Sequence, residues 1–220
     1  MSEYSVSELN KAIRGSKRAT YNIEEINAII DDTFLCHIGY VWQNKSIVIP
    51  TAYGRMNDII YIHGSLKNRM MTNLLDAGEA SVSITHLDGL VLARSAFHHS
   101  ANYRSVTLFG NVRKVENPDE KMKALKCILD HMVPDHWDNV RQPNQKEFNA
   151  TLTIAIKINT ATAKVRAEGV LDEKEDLNLP IWAGVVPIKQ VAYHPISETD
   201  LSKDIEIPDA VLEYVKTNSE

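Results

Sequence analysis

Apolar positions along the chain switch between two periods. Near the start, Asn22 precedes IEEINAIIDD. Ile23, Ile26, Ile29 and Ile30 recur at helical spacing and Glu24 and Glu25 fill the first turn, which predicts a capped amphipathic helix. The following stretch, TFLCHIGYVWQNKSIVIPTAYGRMNDIIYIHG, is β-rich instead. Its three runs, 33–42, 46–53 and 58–63, are separated by Gln43-Asn44-Lys45 and by Gly54-Arg55-Met56-Asn57, so an antiparallel meander is expected. The helical period returns in SLKNRMMTNLLDAG (65–78), where Leu66, Met70, Asn73/Leu74 and Ala77 share a face. Ser65 is placed to cap this helix and Gly78 to end it.

Alternation resumes in EASVSITHL (79–87), with an expected turn at Asp88-Gly89 and further strands in VLARSAFHH and RSVTLFGNVRKV. NPDEKMKALKCILDHMVP (117–134) carries an Asn cap, a first-turn Pro and acids behind it, the strongest helix signal in the chain. ATLTIAIKIN (150–159) and TAKVRAEG (162–169) read as strands, and IWAGVVPIKQVAYHP closes the sheet. The tail 197–220 is polar with one short helical pattern. Many antiparallel strands with a few inserted helices predict one α+β domain, mainly β, over residues 1–220.

Composition adds three constraints. With 220 residues, 44% hydrophobic and 24% charged, the chain can build a sizeable core. A net charge of −5 argues against a nucleic-acid partner, which favours a basic surface. No apolar run resembles a signal peptide or reaches the roughly 20 residues that span a bilayer, so a cytoplasmic protein without a membrane partner is expected. Cys36 and Cys127 stand far apart, outside any CxxC pattern, and read as buried thiols.

The chemistry concentrates in two segments. Gly89–Gly110, GLVLARSAFHHSANYRSVTLFG, sets His98, His99, Tyr103 and Arg104 between strand-like runs. Such groups cost free energy to bury without partners, and a ligand with a phosphate and a polar ring would supply them. Adjacent strand residues face opposite ways, so His98 and His99 are not expected to share a metal, and no Glu or Cys completes a zinc spacing. The planar fork of Arg104 suits a phosphate. In HGSLKNR (63–69) a strand ends where a helix begins. Helix N–H groups, the Ser65 hydroxyl, Lys67 and Arg69 together form a candidate phosphate cradle, the alternative being a Ser cap with a solvated basic turn. Trp182, beside Ala183 and Gly184, reads either as core or as a ring against a planar cofactor. No GxSxG elbow is present, so nucleophilic hydrolysis is not expected.

The runs YIHGSLKNRMM, THLDGLVLARSAFHHSANYRSVTLFG, AKVR and LPIWAGVVP resemble the pyridoxamine 5′-phosphate oxidase-like, FMN-binding split-barrel family over residues 14–195. Within that family the resemblance is to the flavin-nucleotide-binding branch related to nitroimidazole-resistance reductases. It implies a six-stranded split β-barrel with flanking helices, flanked here by N- and C-terminal extensions. It also implies a homodimer with FMN at the subunit interface. The family's phosphate segment, His-x-x-x-x-x-Arg-Lys, falls on His63, Ser65, Arg69 and Met70, where Met70 replaces the usual lysine and Lys67 or Arg104 stands in. Polar contacts to the flavin fall on Tyr103, Arg104 and Ser105, and Trp182 approaches the ring from the partner chain. His63 is the candidate group near the reacting face; no catalytic acid or base is otherwise implied. The Arg-x-His pattern of true pyridoxamine-phosphate oxidases is absent from the end EYVKTNSE, so vitamin B6 oxidation is not expected. The expectation is an FMN-dependent oxidoreductase using a small-molecule electron donor and acceptor. Its rivals are a flavin-storage or redox-sensing protein and a haem-binding split barrel.

Overall fold

Four asparagines set where the helices begin. Asn22 precedes α1 (Ile23–Asp31) and accepts from the Glu25 N–H at 3.0 Å. Asn68 caps α2 (Arg69–Ala77) by accepting from Met71 N–H at 3.2 Å. Asn117 caps α3 (Pro118–Met132), accepting from Asp119 and Glu120. Asn144 opens the short α4 (Gln145–Ala150) through a reciprocal capping box with Glu147. Each side chain satisfies helix N–H groups that have no intrahelical acceptor. The last helix, α5 (Asp209–Asn218), follows Pro208. The computed structural model describes residues 2–202 and 204–219.

Nine strands form the sheet: β1 (Ala19–Thr20), β2 (Leu35–Trp42), β3 (Lys45–Ala52), β4 (Gly54–Met56), β5 (Ile59–Ser65), β6 (Glu79–Leu92), β7 (Ser100–Lys114), β8 (Thr151–Arg166) and β9 (Gly184–Pro187). Their order is β3-β2-β6-β7-β8-β5-β4, with β1 beside β8 and β9 beside β6. The fold is α+β and mainly antiparallel β, as the alternating pattern predicts.

Five expectations are corrected. Of the turn expected at Gly54-Arg55-Met56-Asn57, Gly54–Met56 is strand β4, and the chain turns only at Asn57, with φ 55°. Asp88-Gly89 is no turn: β6 runs through it, because Gly89 faces β9 so closely that a Cβ would stand 3.0 Å from the Val186 carbonyl oxygen. Residues 96–98 form a 3-10 turn, not strand, so strand alternation does not govern His98 and His99. In place of two strands over 150–159 and 162–169, a single strand, β8, runs unbroken from Thr151 to Arg166. Of 181–195, only Gly184–Pro187 is strand.

Contacts divide the chain into two compact units. The first comprises residues up to Ile30, Ser83–Leu108 and Thr160–Lys189. Here α1 buries Ile26, Ile29 and Ile30. Asn10, 4% exposed, ties the N-terminal segment to β8 by donating to Thr160 Oγ1 and to the Ala161 carbonyl. The second comprises Asp31–Val82, Phe109–Asn159 and the chain from Gln190 onward. Its α3 covers a core of Tyr61, Val115, Ala124, Ile128 and Ala155. Tyr61 donates to Glu120 at 3.0 Å, and burial together with that carboxylate pushes its hydroxyl up to about 12. Burial raises the Cys36 thiol to about 12 and the Cys127 thiol to about 11, which keeps both protonated at neutral pH.

Candidate anion site on the second unit

The site is built where β2, β5 and the start of α2 meet. Strands β2 and β3 are joined by Gln43-Asn44, both at positive φ (49° and 59°), the conformation of a two-residue hairpin loop that matches strand twist. This tight turn fixes Trp42 on the last rung, opposite Lys45. At the other side, β5 ends at Ser65 and the chain turns at once into α2. Ser65 does not cap α2 as expected. Its hydroxyl accepts from Lys67 N–H at 3.3 Å and its carbonyl from Asn68 N–H at 2.9 Å, closing a turn that delivers Asn68 to the cap. Gly64 allows this approach: a Cβ there would stand 2.9 Å from Met71 Sδ.

Arg69 is the first residue of α2. Its guanidinium lies 5.3 Å above the Trp42 ring centroid, within cation–π range, and its Nε donates to the Tyr40 hydroxyl at 3.4 Å. Arg69 is exposed, and among the described residues nothing accepts from its Nη1 and Nη2. The guanidinium is therefore held between the Trp42 ring and the Tyr40 hydroxyl, with its Nη groups meeting no protein acceptor among the described residues. Lys67, exposed two residues earlier, adds a second cation, and the N-terminus of α2 adds its partial positive charge. Such an edge is chemically complementary to a planar or tetrahedral oxyanion that takes two parallel N–H bonds.

The other expected residues of this segment do different work. Met70 is 4% exposed and lies with Met71 and Leu74 on the buried side of α2, so the position of the missing lysine is here a core position. His63 sits at the surface end of β5 opposite Thr153, and desolvation lowers its imidazole pKa. Thr153 is 1% exposed and its hydroxyl has no hydrogen-bond partner among the described residues.

Tyr103, Arg104, Ser105 and Trp182 belong to the first unit. Arg104 grips Asp88, with Nε 3.0 Å from Oδ2 and Nη2 2.9 Å from Oδ1. Ser105 donates to the Lys164 carbonyl at 3.4 Å. Tyr103 lies beside Arg18, which pairs with Glu168 at 2.8 Å. Behind them Arg166, 3% exposed, donates to Asn102 and to the Glu168 and Gly169 carbonyls. Trp182 is 67% exposed and its ring closes over Gly184. His98 Nε2 faces Glu173 at 3.5 Å, and His99 Nδ1 faces the Ser95 carbonyl.

Sequence reasoning missed Tyr40 and Trp42 as the braces of Arg69, and Asp88 as the partner of Arg104. For Trp42 a signal existed: an aromatic residue at the last position before a turn, alternating with the buried Tyr40 and so sharing its strand face. Nothing in spacing links either to Arg69.

A family model described as pyridoxamine 5′-phosphate oxidase matches residues 22–165, and the chain belongs to this family. Among solved structures it is similar to the flavocytochrome Anf3 from Azotobacter vinelandii, with a TM-score of 0.88 and 33% identity over 94% of this chain and 96% of that one. It is also similar to the FAD and haem binding protein from Mycobacterium smegmatis, with a TM-score of 0.85 and 30% identity over 90% of this chain and 97% of that one. A candidate 5-nitroimidazole antibiotic resistance protein from Bacteroides thetaiotaomicron shares the fold, with a TM-score of 0.58 and 20% identity over 67% and 86% of the two chains. No curated protein matches. Among the described residues, no helix is long and apolar enough to cross a membrane.

Proposed function

We propose that the protein is a flavin-binding redox protein whose ligand's phosphate rests on the outer edge of Arg69. The observation that carries this reading is the braced guanidinium itself: over the Trp42 ring, tied to Tyr40, and with its Nη groups left without a protein acceptor among the described residues. Its donors fit a phosphate, and Lys67 and the α2 N-terminus favour the same charge. The similarity to a flavocytochrome and to an FAD and haem binding protein, each over nine-tenths or more of the chain, supports the flavin part.

Flavin, when bound, supplies hydride and single-electron transfer. The chain's own part is to hold the phosphate, which FMN and FAD both carry. His63 stays neutral at neutral pH because desolvation disfavours its charged form, so as a group near the reacting face it would serve as an acceptor or neutral donor. We also propose a homodimeric split barrel. The outward face of the β2–β3 hairpin carries Leu35, Val41 and Val48, which are 44%, 61% and 64% exposed, a sheet face that a second copy would cover.

The test is the absorbance spectrum of the purified protein, followed by mass spectrometry of the released ligand. A flavin spectrum supports the reading, and the released mass separates FMN from FAD. A Soret band beside it extends the reading to a flavin-and-haem protein, the second reading that the two full-length relatives favour. Absence of flavin, together with failure to take up FMN or FAD on titration, overturns it. Turnover with NADH or NADPH and an added acceptor separates an oxidoreductase from a storage or sensing protein.

A further inference from the structure

We infer that Trp42 and Tyr40 are positioning residues that make the second unit discriminate phosphorylated flavin from riboflavin, acting only through Arg69. This rests on the phosphate assignment above and goes beyond it by naming what gives Arg69 its selectivity. A free arginine side chain on the first turn of a helix samples many rotamers, and freezing them opposes binding. In this protein much of that freezing is done in advance. The Trp42 ring holds the guanidinium with Cζ 5.3 Å from its centroid, and the Tyr40 hydroxyl takes the Nε hydrogen, which leaves the two Nη groups as the donor set without an acceptor among the described residues. Tyr40 is itself held at 7% exposure, and the hairpin loop at positions 43–44 fixes the backbone that carries Trp42.

Loss of a brace therefore lowers affinity for the phosphate and leaves the isoalloxazine contribution unchanged. Trp42→Leu removes the π face while keeping an apolar side chain. Trp42→Phe keeps a smaller π face. Tyr40→Phe removes only the hydroxyl and preserves the buried ring, so it tests the same idea in a variant that folds on an intact core. The readout is the ratio of the riboflavin to the FMN dissociation constant, measured by fluorescence titration of ligand-free protein. We expect Trp42→Leu to cut this ratio about three- to tenfold, the range that a cation–π contact supports. Trp42→Phe retains most of it, and Tyr40→Phe cuts it by about two- to fivefold, as for one neutral hydrogen bond. Riboflavin affinity stays at the wild-type value in all three.

If Arg69→Ala collapses the ratio while both Trp42→Leu and Tyr40→Phe leave it intact, the positioning role is overturned and the phosphate assignment stands. Equal losses for FMN and riboflavin in Trp42→Leu or Tyr40→Phe also overturn it, since the side chain then contacts the flavin ring or supports the fold. If Arg69→Ala leaves the ratio at the wild-type value, it is the phosphate assignment that fails.

Discussion

Arg69 opens helix α2 and Arg104 lies within strand β7, both in segments rich in polar residues, yet their partners differ in kind. Arg104 is matched by a carboxylate of its own unit, with Asp88 taking two of its N–H groups at 2.9 and 3.0 Å. Arg69 is matched by an aromatic face and a phenol, neither of which carries a negative charge. An arginine with a fork of carboxylate oxygens is electrostatically satisfied and serves the scaffold. One held in place by uncharged groups keeps its charge available. Under the reading proposed above, the sort of partner, rather than the presence of the arginine, separates a structural cation from a ligand-binding one.

The largest effect that would break this contrast comes from Arg69→Ala. It should weaken FMN binding by about 1.5–3 kcal/mol, the usual value for hydrogen bonds to a charged group, with riboflavin binding unchanged, as titration calorimetry would show. Asp88→Ala probes the other arginine. Both partners are 34% exposed, so screening limits the pair, and a thermal melt should register a loss of about 0.5–1 kcal/mol while the FMN-to-riboflavin preference stays intact. Lys67→Ala comes third. As an exposed point charge it should weaken FMN binding about threefold or less at low salt, an effect that vanishes as ionic strength rises.

The smallest effect concerns His63. Desolvation lowers its folded pKa below the ordinary 6.5, so the unfolded chain binds the extra proton more readily. The stability that follows is fully present above about pH 6.5 and is lost as pH falls through the lower folded value. His63→Gln should flatten the pH dependence of the melting temperature in that window; an unchanged slope would show that other groups set it.

Much of the fold was legible from local rules, because capping and alternation are local. The helix after Asn117 lies where the Asn-Pro-acid pattern puts it, and the β2–β3 hairpin turns at Gln43-Asn44. The failures came where a residue's role is set by a distant strand. Gly89 looks like a turn glycine but is small because β9 lies against it, and Asp88 beside it is there for Arg104. Ser65 has the chemistry of a helix cap but caps the preceding turn, since Asn68 is better placed for α2. The break between 159 and 162 vanishes into one strand, where Asn10, 150 residues away, bonds the Thr160 hydroxyl. For the candidate site, Arg69, Lys67 and Ser65 were readable because they adjoin a helix start. The braces Tyr40 and Trp42 were not, because the Trp42–Arg69 contact joins residues separated by three strands, β3, β4 and β5, and the turns between them.

The phosphorus-31 resonance of FMN bound to the wild-type protein and to Arg69→Ala, followed as a function of pH, reports on the phosphate itself. Free phosphate monoesters take up their second proton near pH ~6. We expect the bound phosphate of the wild type to stay dianionic well below that value, because the Arg69 edge stabilises the doubly charged form, and to titrate near the free value in Arg69→Ala. The same titration curve in both proteins would contradict the assignment of Arg69 to the phosphate.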